Sequence, residues 1–152
     1  MAALIHSILL AGALLLGARA HAQPAPAASA EVSVLVSNGS SVQTLSRSQA
    51  IALFTGRLRA LPNGEQVQPL DMPLQSPARE TFYRLLTGMS LAQINSYWAR
   101  LVFSGQIQPP LVVESEAAMA KTLRENPRSI GYVVRLPDDN RLRVVLTLKP
   151  ET

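Results

Sequence analysis

Read for its alternation of apolar and polar positions, the chain divides into five strand-like and four helix-like stretches behind an apolar N-terminus. Glu31 to Ser37 (EVSVLVS) alternates and is rich in β-branched residues, which predicts a first strand. Asn38-Gly39-Ser40-Ser41 is a turn cluster. Ser46 and Gln49 form a capping-box pattern ahead of Ile51, Leu53 and Phe54, and Gly56 falls where a C′ glycine ends a short helix. After the turn Leu61-Pro62-Asn63-Gly64, Val67 to Met72 reads as a second strand. Ser76-Pro77 then pairs a good N-cap with the residue favoured at the first helical position. Phe82, Leu85 and Leu86 give that helix an apolar stripe, and Gly88 closes it. Ser90 and Gln93 open another helix, with an inner face assigned to Ile94, Tyr97, Trp98, Leu101 and Val102. Leu111 to Val113 is a short strand, and Glu116 to Glu125 a helix stopped by Asn126-Pro127. Ile130 to Leu136 and Leu142 to Leu148 are the last strands, separated by Pro137-Asp138-Asp139-Asn140. Strands alternating with helices predict an α/β fold with parallel pairing, a single small three-layer lobe that ends in a C-terminal β-hairpin.

The apolar N-terminus has a different meaning. Leu4 through Gly17 is apolar except for His6 and Ser7. That is too short for a membrane-spanning helix, which needs roughly twenty residues, but it suits a secretory signal. Ala20-His21-Ala22 fits the small-x-small site that signal peptidase accepts. The expectation is a signal peptide over residues 1–22, cleaved after Ala22, and a periplasmic mature protein; retention as a membrane anchor is the alternative. Residues 23–30 (QPAPAASA) read as a flexible leader, and residues 31–150 as one domain.

Composition narrows the chemistry. The chain has no Cys, which excludes a thiol nucleophile, a disulfide framework and Cys-ligated metal. Both histidines, His6 and His21, lie in the signal segment, so the mature domain lacks the commonest general base and metal ligand. No nucleophile stands with an activating base, and neither an enzyme nor a metal or cofactor protein is expected. Asp71 with Glu80, and Glu114 with Glu116, are candidate carboxylate pairs, whereas Asp138-Asp139 reads as a solvated turn. Without Arg19 the net charge is +3, carried mostly by arginine, which suits anionic ligands. The arginines are scattered and aromatics are few, so nucleic acid is not an expected partner.

The start of the Ser76 helix is the best candidate site. There a hydroxyl and free backbone N–H groups meet the positive end of the helix dipole, and Arg79 lies one turn in. A helix that starts on Ser-Pro for purely structural reasons is the competing explanation. Ser40 and Ser41 in the first turn cluster are a secondary candidate anion nest. Tyr97 and Trp98 are a stacking platform or core. Arg57 and Arg59 are a docking patch or a solvated loop, and Gly131 allows close packing at a strand.

The run from Ser46 to Val133 resembles the small substrate-binding proteins related to phosphate ABC transporters, in the type 2 periplasmic-binding-protein-like superfamily. The segments that carry the resemblance are LSRSQAIALFTGRL, PNGEQVQPLD, SPARETFYRLLTG, YWARLVFSGQIQPP and NPRSIGYV. In that family a Ser-Gly-Thr-Arg segment after a strand supplies hydroxyl and amide donors to phosphate. Ser76, Ala78 and Arg79 stand at matching positions here, with Pro77 and Ala78 in place of the Gly and Thr. Proline removes an N–H and alanine a hydroxyl, so the resemblance implies a weak phosphate or oxyanion site. It also implies an ABC transporter permease as a partner. The alternative is a cell-envelope adaptor that keeps the fold without the ligand and acts through an envelope protein. A monomer or weak dimer is expected.

Overall fold

The computed structural model describes residues 31–150 apart from Gln106. The expected signal peptide (1–22) and leader (23–30) lie outside the described residues. The elements are β1 (Val32–Ser37), α1 (Arg47–Phe54), β2 (Gln68–Asp71), α2 (Pro77–Thr87), α3 (Leu91–Phe103), β3 (Leu111–Val112), α4 (Glu116–Glu125), β4 (Ser129–Val133) and β5 (Leu142–Leu148). The helix starts follow their caps. Ser46 Oγ accepts from Gln49 N at 3.1 Å while Gln49 Oε1 accepts from Ser46 N at 2.8 Å, and Ser90 and Gln93 repeat the arrangement.

The strands form one mixed sheet in the order β3-β2-β4-β1-β5. β2 runs parallel to β3 and β4, and β1 runs antiparallel to both β4 and β5. The expected parallel pairing holds for β2, β3 and β4, whereas β1 is antiparallel to both of its neighbours. The C-terminal β-hairpin is corrected, because β1 lies between β4 and β5, which point the same way. Residues 134–141 form a crossover fastened to α4 rather than a hairpin turn. Glu116 Oε1 accepts from the backbone N–H of Val134 and, at 3.3 Å, of Arg135. Arg124 Nη1 donates to Asp139 Oδ2 at 2.8 Å, and the Arg141 guanidinium also reaches Asp139. Asp139 is thus held inside an ion-pair cluster, not solvated as its turn position implied.

Two faces of the sheet are covered. On β4, Tyr132 stacks on Phe82 of α2 with ring centroids 3.8 Å apart. Its neighbour Gly131 meets Met119 of α4, whose Sδ would lie 2.2 Å from a Cβ at position 131. Adjacent strand residues point to opposite faces, so α2 and α4 sandwich the sheet in three layers. Every residue of β4 is buried, as expected for a strand covered on both sides. On α3, Ile94 and Trp98 are buried and Tyr97 half-buried, whereas Val102 is 49% exposed, which corrects its assignment to the inner face.

Candidate functional site

β2 carries its chain to Asp71, a carboxylate only 3% exposed at the carboxyl end of the parallel strands. Four donors surround it. Arg79 Nε donates to Oδ2 at 2.8 Å, and the Tyr83 hydroxyl lies 3.1 Å from the same oxygen. The Tyr132 hydroxyl donates to Oδ1, which also accepts from Met72 N at 2.8 Å. Arg79 and Tyr83 are four residues apart and share one face of α2, so the guanidinium carbon sits 5.0 Å from the Tyr83 ring centroid. Arg79 Nη1 donates to Asn95 Oδ1 on α3, and Asn95 Nδ2 reaches the Leu74 carbonyl at 3.4 Å. A strand end, two helices and β4 are tied together at one buried ion pair. Burial and the adjacent Asp71 charge push the Tyr83 and Tyr132 phenols well above their ordinary range.

Arg79, expected as an anion ligand, is 1% exposed and paired with Asp71. The pair is neutral as a unit, so the field it presents at the start of α2 is a dipole rather than a full positive charge. Ser76 is half-buried as the N-cap, and its Oγ accepts from Arg79 N at 3.5 Å, the long end of a hydrogen bond. Pro77 at the first helical position has no N–H and the Arg79 amide is taken by the Ser76 cap, which leaves the Ala78 amide as the free donor of the first turn. Ala78 packs its side chain against the core. Ser76, Ala78 and Arg79 therefore sit together at one helix start, and they offer one hydroxyl and one free backbone donor, with the Arg79 guanidinium buried against Asp71.

Ser40 and Ser41 lie elsewhere. They follow the carboxyl end of β1, which is antiparallel to β4 and therefore at the other end of the sheet from α2's start. Ser40 is buried, with its Oγ accepting from Val42 N at 3.3 Å and its carbonyl accepting from Arg143 Nη2 at 2.9 Å, whereas Ser41 is exposed. The candidate carboxylate pairs are not formed. Asp71 goes to Arg79, exposed Glu80 lies 3.9 Å from Arg84, and Glu116 caps the end of β4. Arg57 reaches only Thr55 Oγ1, at 3.1 Å, and Arg59 is exposed. Asp71, Tyr83, Tyr132 and Asn95 were not singled out together, and the spacing of eight residues between Asp71 and Arg79 across a strand, a loop and a helix start has no motif to announce it. A lone acid closing an apolar strand was the one available signal. Among the described residues no three His, Cys, Asp or Glu side chains gather as a metal site, and no helix is long and apolar enough to cross a membrane.

No family model matches the chain, and no curated protein matches it by sequence. Solved structures do match its fold. An ABC-type phosphate transport receptor from Vibrio cholerae superposes with a TM-score of 0.58 at 17% identity, over 76% of this chain and 46% of that one. A phosphate ABC transporter substrate-binding protein with bound phosphate, from Clostridium perfringens, gives 0.59 at 12% identity, over 76% and 45%. PstS from Borrelia burgdorferi gives 0.51 at 15% identity, over 68% and 41%. The chain spans less than half the length of each. Its mixed α/β sheet with four helices is, by fold, similar to part of the phosphate ABC transporter substrate-binding proteins, and this is the solute-binding-protein-like architecture expected from the sequence.

Proposed function

We infer that this chain is an exported solute-binding-like protein of the periplasm, related to phosphate-transport receptors, whose α2 start is a weak oxyanion site. The observation that carries it is the Asp71–Arg79 pair at 2.8 Å, whose arginine is also the residue that the Ser76 cap holds through its backbone N–H. The pair fixes the guanidinium in one orientation. Two of its five N–H groups are used, on Asp71 and Asn95, and the side chain is buried, so an anion at the cap would be met by the Ser76 hydroxyl and the Ala78 amide. The same pairing cancels the charge that would make binding tight, and Pro77 withholds a further donor. Affinity for phosphate or sulfate is therefore in the millimolar range. Isothermal titration of the mature chain at low salt, with Ser76→Ala beside it, tests this. Saturable heat that is lost in the variant is expected; no heat at millimolar anion overturns the oxyanion assignment.

A second reading, an envelope adaptor, rests on a different observation. Phe103 is 95% exposed and Val102 49% at the end of α3, and both residues of edge strand β3, Leu111 and Val112, are half exposed. Apolar surface of this kind favours a protein contact, with a transporter permease or another envelope protein. Absence of anion binding together with concentration-dependent association in light scattering would favour this second reading.

A further inference from the structure

A second concave site lies at the other end of the sheet, where β2 and β3 begin. It is a cavity of about 290 Å³ between the loop after α1 and the segments leading into the two strands. That volume is just below the roughly 300 Å³ where small-ligand sites begin, and so suits a molecule of monosaccharide size. Its chemistry is uneven in an informative way. Arg59 is the one charged residue on its wall, with no ion pair among the described residues, and no Asp or Glu lines it. Gln66, Gln68 and Gln108 add three carboxamides, each able to donate and to accept. Pro109 supplies flat apolar surface, and Trp98, only 5% exposed, borders the cavity without an open ring face.

The enclosure depends on a glycine. Gly56 has φ +73°, and a Cβ there would fall 2.8 Å from Trp98 Cη2 and 2.9 Å from Ile107 Cγ2. Its absence lets the indole and the 107–110 segment close onto the backbone.

We propose that this cavity binds a small carboxylated polyol, such as a sugar acid. The carboxylate pairs with Arg59, the hydroxyls with the three glutamines, and the C–H face rests on Pro109, beside the buried Trp98. A guanidinium fork fits a carboxylate, and carboxamides match hydroxyl groups that both donate and accept. The site is separate from the α2 start in residues and in position.

Trp98 is the only tryptophan in the chain, so its fluorescence reports this cavity. The test is an emission titration of the purified chain with D-glucuronate, D-glucose and inorganic phosphate, repeated on Arg59→Gln. Arg59 is exposed, so the variant folds normally, which its circular dichroism spectrum verifies. Glucuronate is expected to change the emission saturably, with the apparent affinity falling about tenfold for glucose and about tenfold in the variant, the loss typical of one charge-assisted hydrogen bond. No saturable change with glucuronate, an unchanged affinity in Arg59→Gln, or an equal response to phosphate would each overturn the proposal.

Discussion

At the scale of single residues, Asp71 decides what the candidate site can do. A carboxylate this deeply buried has its charge met by one guanidinium, two phenols and one backbone amide, so removing a partner leaves the rest uncompensated. Arg79→Ala is predicted to destabilise the fold by about 3–5 kcal/mol, measured by chemical denaturation. The double change Asp71→Leu with Arg79→Met is predicted to cost less than the single one, because no unpaired charge remains. Equal losses in both would show that the pair's packing matters more than its charge.

The two phenols set an alkaline limit. Their folded-state pKa values lie above the ordinary value near 10, so the stabilisation they give is complete below that pH and is lost as pH rises beyond it. In a pH titration, the phenolate absorbance of Tyr83 and Tyr132 should appear only together with loss of the folded circular dichroism signal. Asp139 sets the opposite limit. Hydrogen bonds from Arg141 first, with Arg124 adding to them, hold its pKa at about 2. Its contribution is present above the ordinary carboxylate range near 4 and is lost as pH falls towards 2. Asp139→Asn should flatten the acid side of the stability profile between those values; an unchanged profile would assign acid unfolding to other carboxylates.

At the scale of elements, the caps were legible and the pairing was not. Ser46, Ser76 and Ser90 begin their helices where the sequence places them, because a cap is a local bond between residues three apart. The hairpin expectation failed for a physical reason. Pro137-Asp138-Asp139-Asn140 carries the same turn residues whether the next strand folds back beside β4 or crosses to the far side of β1. What decides between the two lies far away in sequence, in Glu116 and Arg124 of α4, which hold residues 134, 135 and 139. β1 reads as alternating in sequence, yet every residue of it but Ser33 is buried, as its central place in the sheet requires. Packing of α4 on the sheet depends on Gly131, whose replacement by Ala drives a Cβ into Met119. The predicted loss for Gly131→Ala is about 1–3 kcal/mol by thermal or chemical denaturation; no loss would mean that Met119 moves aside freely.

At the scale of the whole molecule, α2 and α4 sandwich a five-stranded sheet whose parallel strands end at Asp71 and Val133, beside the start of α2. Open α/β sheets bind ligands at such carboxyl ends. Here, however, the chain's own carboxylates already take the strongest donors: Asp71 takes Arg79, and Glu116 takes the amides after β4. The Ser-Pro helix start was readable from sequence as a candidate anion site. The neutralising partner was not, since its contact depends on how a strand end and a helix start meet in space. On this fold we propose a weak oxyanion site of reduced charge at the start of α2. Amide chemical-shift mapping during a phosphate titration tests it most directly. Saturable shifts in the millimolar range centred on Ala78 and Arg79, with none at Ser40 and Ser41, are the predicted result. Shifts centred anywhere else, or none at all, would contradict it.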